Sequence, residues 1–121
     1  MLTLNPGAYT AILKPADGVP GVGLVEVYDA SVTVPSQLAN LSTRGTVQTG
    51  DGVMILGTIV LGDSSTTVLF RAIGPSLPLS DDLQDPTLDV HDANGIVIAS
   101  NDNWRTDAES GNIPKDLQPE R

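Results

Sequence analysis

Acidic and amide side chains are the residues of this chain best equipped for chemistry. Asp81, Asp82 and Asp85 lie close together, and Asp92, Asn94, Asn101, Asp102 and Asn103 follow in one stretch. Oxygen-rich loops that converge at one end of a β-sandwich can hold Ca²⁺, a hard cation that takes oxygen ligands. On that reading the candidate metal ligands are Asp85, Asp92, Asn94, Asn101 and Asp102. The spacing is not that of an EF-hand, because no D-x-D-x-D-G run with a closing Glu is present. Asp and Asn are also ordinary turn residues, so Ca²⁺ ligation and turn chemistry both stand at this point.

His91 is the only histidine. A triad or a metal-dependent hydrolase needs its imidazole beside a nucleophile or further ligands. Alternation with Val90 instead puts His91 on the solvent face of a strand. Ser64, Ser65 and Ser76 lie in turns without a G-x-S-x-G context. Neither paired Glu residues nor a second His is available for acid–base work. No catalytic residue is assigned and no enzyme is expected. Arg44 and Arg71 sit inside apolar segments, where a guanidinium needs a carboxylate or carbonyl partner. Each is expected to pair with an Asp of a neighbouring loop. Phe70 and Trp104 are expected in the core.

These side chains must be positioned by strands. The 121 residues suit one domain with a modest core. Apolar residues make up 40% of the chain, but they are aliphatic, and Tyr9, Tyr28, Phe70 and Trp104 are the only aromatics. With 12 Gly and 9 Pro spread along the chain, the composition favours many short strands joined by turns. No helical periodicity extends beyond about two turns. The net charge of −9 repels nucleic acid and anionic membranes and suits a cation. No Cys is present, so disulfides and thiol chemistry are excluded. No run approaches the roughly 18 apolar residues of a membrane span. The opening MLTLNPG lacks the features of a signal peptide, so a secreted form would carry its signal elsewhere.

Along the chain, residues 1–4 form an apolar lead-in. Residues 8–13 alternate, with Ala8, Thr10 and Ile12 on one face and Tyr9, Ala11 and Leu13 on the other. Residues 24–28 form a second alternating strand, and 29–37 a connector. Residues 38–47 read as a strand kinked at Gly45. Residues 53–61 are the most apolar run, long enough for a buried strand, with Gly57 marking a bulge or a close approach. After the turn at 62–65, residues 66–73 read as the hairpin partner of that run. Residues 76–84 read as a loop or a single helical turn. Then Asp85 to Trp104 (DPTLDVHDANGIVIASNDNW) forms a hairpin, with Asn94-Gly95 able to take the positive φ angles of a tight connection. Residues 105–121 are polar and without periodicity. Leu24–Ala30 (LVEVYDA) echoes Thr87–Ala93 (TLDVHDA), as two sheets built from similar hairpins would.

DPTLDVHDANGIVIASNDNW resembles the hairpin of the bacterial pre-peptidase C-terminal domain family. The whole chain is similar to a repeat of large secreted proteins of environmental bacteria. The matching pieces are LANLSTRGTVQTGDGVMILGTIVLG, VLFRAIGPSL, the hairpin itself and LNPGAYTAIL with GVGLVEVYD. The resemblance implies an all-β, antiparallel, jelly-roll-like β-sandwich in extracellular proteins, in some cases binding Ca²⁺ or matrix polymers. In the repeat, the LANLSTRG segment opens the domain and the PGAYTAIL and LVEVYD segments close it. Here the closing segments come first.

The expected organisation is a single sandwich unit over 1–121. Residues 1–29 supply strands, 30–37 a connector, 38–104 the main sandwich and 105–121 a polar linker. Two readings of the order remain open. The chain closes on itself as a circular permutant, or residues 1–29 complete the sandwich of a neighbouring copy. Such strand donation runs head-to-tail and builds a filament unless a ring closes. The expected function is a non-catalytic structural subunit of an extracellular filament or tandem surface array of a bacterium. Its partner is itself or a neighbouring repeat, with no nucleic acid and no membrane insertion. The alternative is a secreted accessory module that binds carbohydrate or matrix polymer.

Overall fold

A computed structural model describes residues 1–30 and 40–102. The alternating segments form eight strands: β1 (Leu2–Leu4), β2 (Gly7–Pro15), β3 (Gly21–Asp29), β4 (Asn40–Val47), β5 (Met54–Val60), β6 (Thr66–Ile73), β7 (Pro86–His91) and β8 (Val97–Asn101). They build two four-stranded antiparallel sheets packed as a β-sandwich. Sheet A has the order β1-β6-β3-β4 and sheet B the order β5-β2-β7-β8.

This topology is a jelly roll entered part-way along its path. A jelly roll is a long antiparallel hairpin of eight strands, rolled so that its halves meet in two sheets. Counting from β4, the outermost hairpin pair is β4 with β3, followed inward by β5 with β2, β6 with β1 and β7 with β8; all four pairs are present. Rolling adds β3 beside β6 and β2 beside β7, which completes both sheets. The fold's opening strand is therefore β4, which carries NLSTRG, and its last three strands are β1, β2 and β3. β4 thus opens the roll although β1, β2 and β3 precede it in the chain. Within this chain, the first 29 residues pair with residues 40–101. β2 is a central strand of sheet B and β3 a central strand of sheet A.

The core follows from period-2 alternation. Ala11 and Leu13 of β2, Val25 and Val27 of β3, Leu56 and Val60 of β5, Val68 of β6, and Leu88 and Val90 of β7 point inward and are buried. Tyr9 and Phe70 pack against this cluster. Trp104, expected beside them, lies outside the described residues.

Leu83 closes one end of the core. It comes from the loop at 74–85, and it is fully buried. The Leu83 N–H donates to the Val22 carbonyl at 2.7 Å, and the Val22 N–H donates to the Asp81 carbonyl at 2.7 Å. The segment thus occupies the flank of β3 beyond the end of β6. Close approach is what Gly74 and Gly21 permit: a Cβ on Gly74 would stand 1.9 Å from the Leu83 carbonyl oxygen, and one on Gly21 would stand 2.7 Å from the Leu83 Cα.

Several expectations are corrected. Residues 66–73 are not the hairpin partner of 53–61: β5 pairs with β2 in sheet B, while β6 pairs with β1 and β3 in sheet A. The turn at 62–65 carries the chain across the sandwich, and a local turn signal does not say which sheet the next strand joins. β5 is an edge strand with Ile55 and Ile59 exposed, not a buried one. Gly57 pairs in register with Thr10, and a Cβ there would meet open space, so it marks neither a bulge nor a close approach. Gly45 pairs with Gly23 in an uninterrupted register, without a kink in the ladder.

Candidate functional site

The outward faces of the two sheets each carry an ion pair at an equivalent place. On sheet A, Glu26 of β3 accepts from Arg71 of β6, with Nη2 at 2.5 Å and Nε at 2.7 Å, and from the Tyr28 hydroxyl at 3.0 Å. The Arg71 guanidinium stands over the Tyr28 ring, 5.5 Å from its centroid. On sheet B, Asp89 of β7 accepts from Lys14 of β2 at 2.6 Å and from the Ser100 hydroxyl of β8 at 2.6 Å. β3 and β7 hold the same position in their sheets, each beside an edge strand that follows it as a hairpin partner. The echo between LVEVYDA and TLDVHDA falls on these two strands and aligns Glu26 with Asp89.

Arg71 was expected to pair with a loop aspartate. Its partner is instead Glu26 on the adjacent strand, directly opposite in the register. Arg44 lies exposed on the edge strand β4. Cross-strand pairing supplies the carboxylate at a spacing that no local pattern reveals, although strand alternation already places Glu26 and Asp89 outward.

Asp89, His91 and Ser100 are the residue types of a triad gathered on the β7–β8 hairpin, but their bonds run otherwise. The Ser100 hydroxyl donates to Asp89, and His91 Nδ1 lies 3.1 Å from the Gly95 carbonyl oxygen. An activated serine would give its proton to the imidazole, whereas here that proton is held by the carboxylate. Burial raises the Asp89 pKa, but hydrogen bonds from Lys14 and Ser100 and the charges of Lys14 and His91 outweigh it, and the carboxyl is held below its ordinary value.

The hairpin tip consumes its acidic residue in turn chemistry. The Asp92 carboxylate accepts the N–H groups of Asn94 at 2.9 Å and Ile96 at 3.0 Å. The Asp92 N–H donates to the Ile96 carbonyl at 2.9 Å, and the Gly95 N–H donates to the Asp92 carbonyl at 3.0 Å. Only Gly95 takes a positive φ, +78°, so the connection is a three-residue loop ending in a left-handed glycine, not the expected two-residue turn.

The five candidate Ca²⁺ ligands are not brought to one place. Asp92 and Asn94 lie at the tip. Asp85, Asn101 and Asp102 lie at the other end of the hairpin, beyond the six residues of β7, a span of roughly 20 Å. There, the Asp85 carbonyl accepts from the Ala16 N–H at 2.7 Å and Asp102 accepts from the Thr87 hydroxyl at 3.2 Å. Among the described residues, no three or more His, Cys, Asp or Glu side chains gather as a metal site would require.

The four sheet edges differ. In sheet A, β1 has three residues, and β4 exposes Leu41, Ser42, Thr43, Arg44 and Thr46. In sheet B, β5 exposes Ile55 and Ile59, and β8 exposes Val97 and Ile98 at a register shift opposite Val90 and His91. Natural sheets guard their edges with short strands or charge. Sheet A does so; in sheet B, β8 is short and carries the register shift, and β5 is the long edge without a charged side chain. No protein-family model, curated protein or solved structure matches the chain.

Proposed function

We propose that this protein is a non-catalytic structural subunit of a bacterial extracellular filament or tandem surface array, joined head-to-tail to copies of itself or to neighbouring repeats. The observation that carries the reading is the permuted jelly roll. Residues 1–29 hold the last three strands of the roll, of which β2 and β3 are central strands of sheets B and A and β1 is an edge of sheet A. A body of residues 40–101 needs them from some source. Supplied by its own chain they close a unit; supplied by a neighbour they join two units through the same contacts. The resemblance to repeats of large secreted proteins supports the surface location.

Connection favours self-closure in an isolated chain. Tyr28 pairs with Asn40, so the connector joins adjacent antiparallel strands, and a short tether gives an effective concentration in the millimolar range. Donation then belongs to concentrated protein, at or above that effective concentration, and to tandem arrays, where neighbouring units are tethered too. The carbohydrate-binding reading has less support, since Tyr9 and Phe70 pack against the core instead of forming an outer platform.

A disulfide distinguishes the two routes. Val22 of β3 stands opposite Thr46 of β4, within the Cα separation that a disulfide spans. The chain has no other Cys. In assembled V22C/T46C protein, oxidation gives a covalent ladder on a non-reducing denaturing gel if strands are donated. Monomer bands alone would contradict donation and leave self-closed units.

A further inference from the structure

We infer that β5 and β8, the edges of sheet B without a further strand partner among the described residues, form a heterologous interface between copies of this chain, so that sheet B continues from one copy into the next. The inference rests on the reading of the protein as a self-assembling structural unit, but not on strand donation.

The first argument is strand direction. All pairings in sheet B are antiparallel. With four strands in the order β5-β2-β7-β8, the two edge strands run in opposite senses. A copy displaced along the sheet, with the rotation that strand twist imposes, then places its β8 antiparallel to β5 of the first. The same holds for β4 and β1 in sheet A, and β4 packs across the sandwich from β5. One such screw displacement therefore keeps the up-down alternation in both sheets. Such an operation does not close, and it generates a filament.

The second argument is the surface that each edge presents. Ile55, Ile59 and Leu61 at the β5 edge are 60%, 69% and 79% exposed, and Ile96, Val97 and Ile98 at the β8 edge are 60%, 51% and 41% exposed. Aliphatic side chains on uncharged edge strands offer a template for pairing with another chain, in which main-chain hydrogen bonds supply affinity and side chains supply register. A chain of net charge −9 resists association by general repulsion, so an interface between copies is expected where charge is absent. None of these six residues carries a charge.

The third argument is size. β4 and β5 offer 8 and 7 residues on one side, and β1 and β8 offer 3 and 5 on the other. A stable interface engages about 20–30 residues a side. The contact is weak for single copies, so it fills as their concentration rises, and it becomes persistent when units are tethered in series.

The test is sedimentation velocity of the full chain over a wide concentration series, with two edge variants. Ile55→Lys/Ile59→Lys blocks β5, and Val97→Lys/Ile98→Lys blocks β8. Both place charge at exposed positions, and unchanged circular dichroism and melting verify the fold. Wild type is expected to form a concentration-dependent series of oligomers, and each variant alone to associate at least about tenfold more weakly, a difference of about 1.4 kcal/mol. An equimolar mixture of the two variants is expected to form dimers and stop there, because each retains one working edge. Dimers of the β8 variant alone would show a two-fold β5–β5 contact and overturn the inference. Assembly that survives in both variants would also overturn it while leaving the structural reading intact. A wild type that stays monomeric throughout would overturn both. Since added Lys lowers the net negative charge, loss of assembly is not attributable to repulsion.

Discussion

Leu83→Ala isolates the closure of the sandwich end. Leu83 is fully buried although it belongs to a loop. Its side chain fills the space left by glycine: a Cβ on Gly23 would meet Leu83 Cδ2 at 3.3 Å and Leu13 Cδ2 at 2.9 Å. Truncating a buried leucine costs about 2–5 kcal/mol, depending on how far the surroundings collapse. The loop flanks allow some collapse, while two backbone hydrogen bonds to Val22 and the glycine contacts resist it, so about 3 kcal/mol is expected. At about 4 °C per kcal/mol for a chain of this length, the melting midpoint falls by about 12 °C. The assay is thermal unfolding followed by circular dichroism, with urea unfolding to verify an unchanged m-value. Leu79→Ala is the control, since Leu79 is on the same loop but exposed, and surface changes fall within about 0.5 kcal/mol. A Leu83→Ala midpoint no lower than that of Leu79→Ala would refute the placement of Leu83 as the plug.

Two glycines are expected to differ in sign. Gly74→Ala drives a methyl into the Leu83 carbonyl and destabilises by about 3 kcal/mol or more, whereas Gly57→Ala points into open space and stabilises the strand by about 0.5–1 kcal/mol; chemical denaturation of both variants tests the contrast. Glu26→Leu removes the carboxylate to which Arg71 and Tyr28 both donate and is expected to cost about 1–3 kcal/mol. The double variant Glu26→Leu/Arg71→Leu should recover part of that loss in a double-mutant cycle, because the remaining buried charge is removed as well. Asp89 has a folded pKa below the ordinary 3.8, so the stability it contributes is present above that value and is lost as pH falls through the lower, folded value. Asp89→Asn should flatten the acid limb of a stability-against-pH curve and leave its neutral limb unchanged in slope.

Alternation made much of the fold legible. The inward set Tyr9, Ala11 and Leu13 and the β7–β8 hairpin were readable from local pattern, because a strand with one buried face must alternate. The point at which the chain enters the roll follows from the strand pairing: β3 and β4, the ends of the roll, are neighbours. The crossing from β5 to β6 was not readable, since it depends on which distant strand each one meets. Leu83 lacked any periodic context. The Glu26–Arg71 and Lys14–Asp89 pairs join residues far apart in the chain, although the echo between LVEVYDA and TLDVHDA held a sign of them. For the acidic residues, type alone did not distinguish a ligand from a turn residue. Hydrogen bonding shows the turn role at Asp92, whose Oδ1 is engaged by two backbone amides.

Negative-stain electron microscopy of the concentrated full chain, with and without EDTA, tests the central claim most directly. A self-assembling structural unit predicts regular filaments whose length grows with concentration, and their loss in EDTA would add a Ca²⁺-dependent step to assembly. Single compact particles at every concentration, in both conditions, would contradict the account.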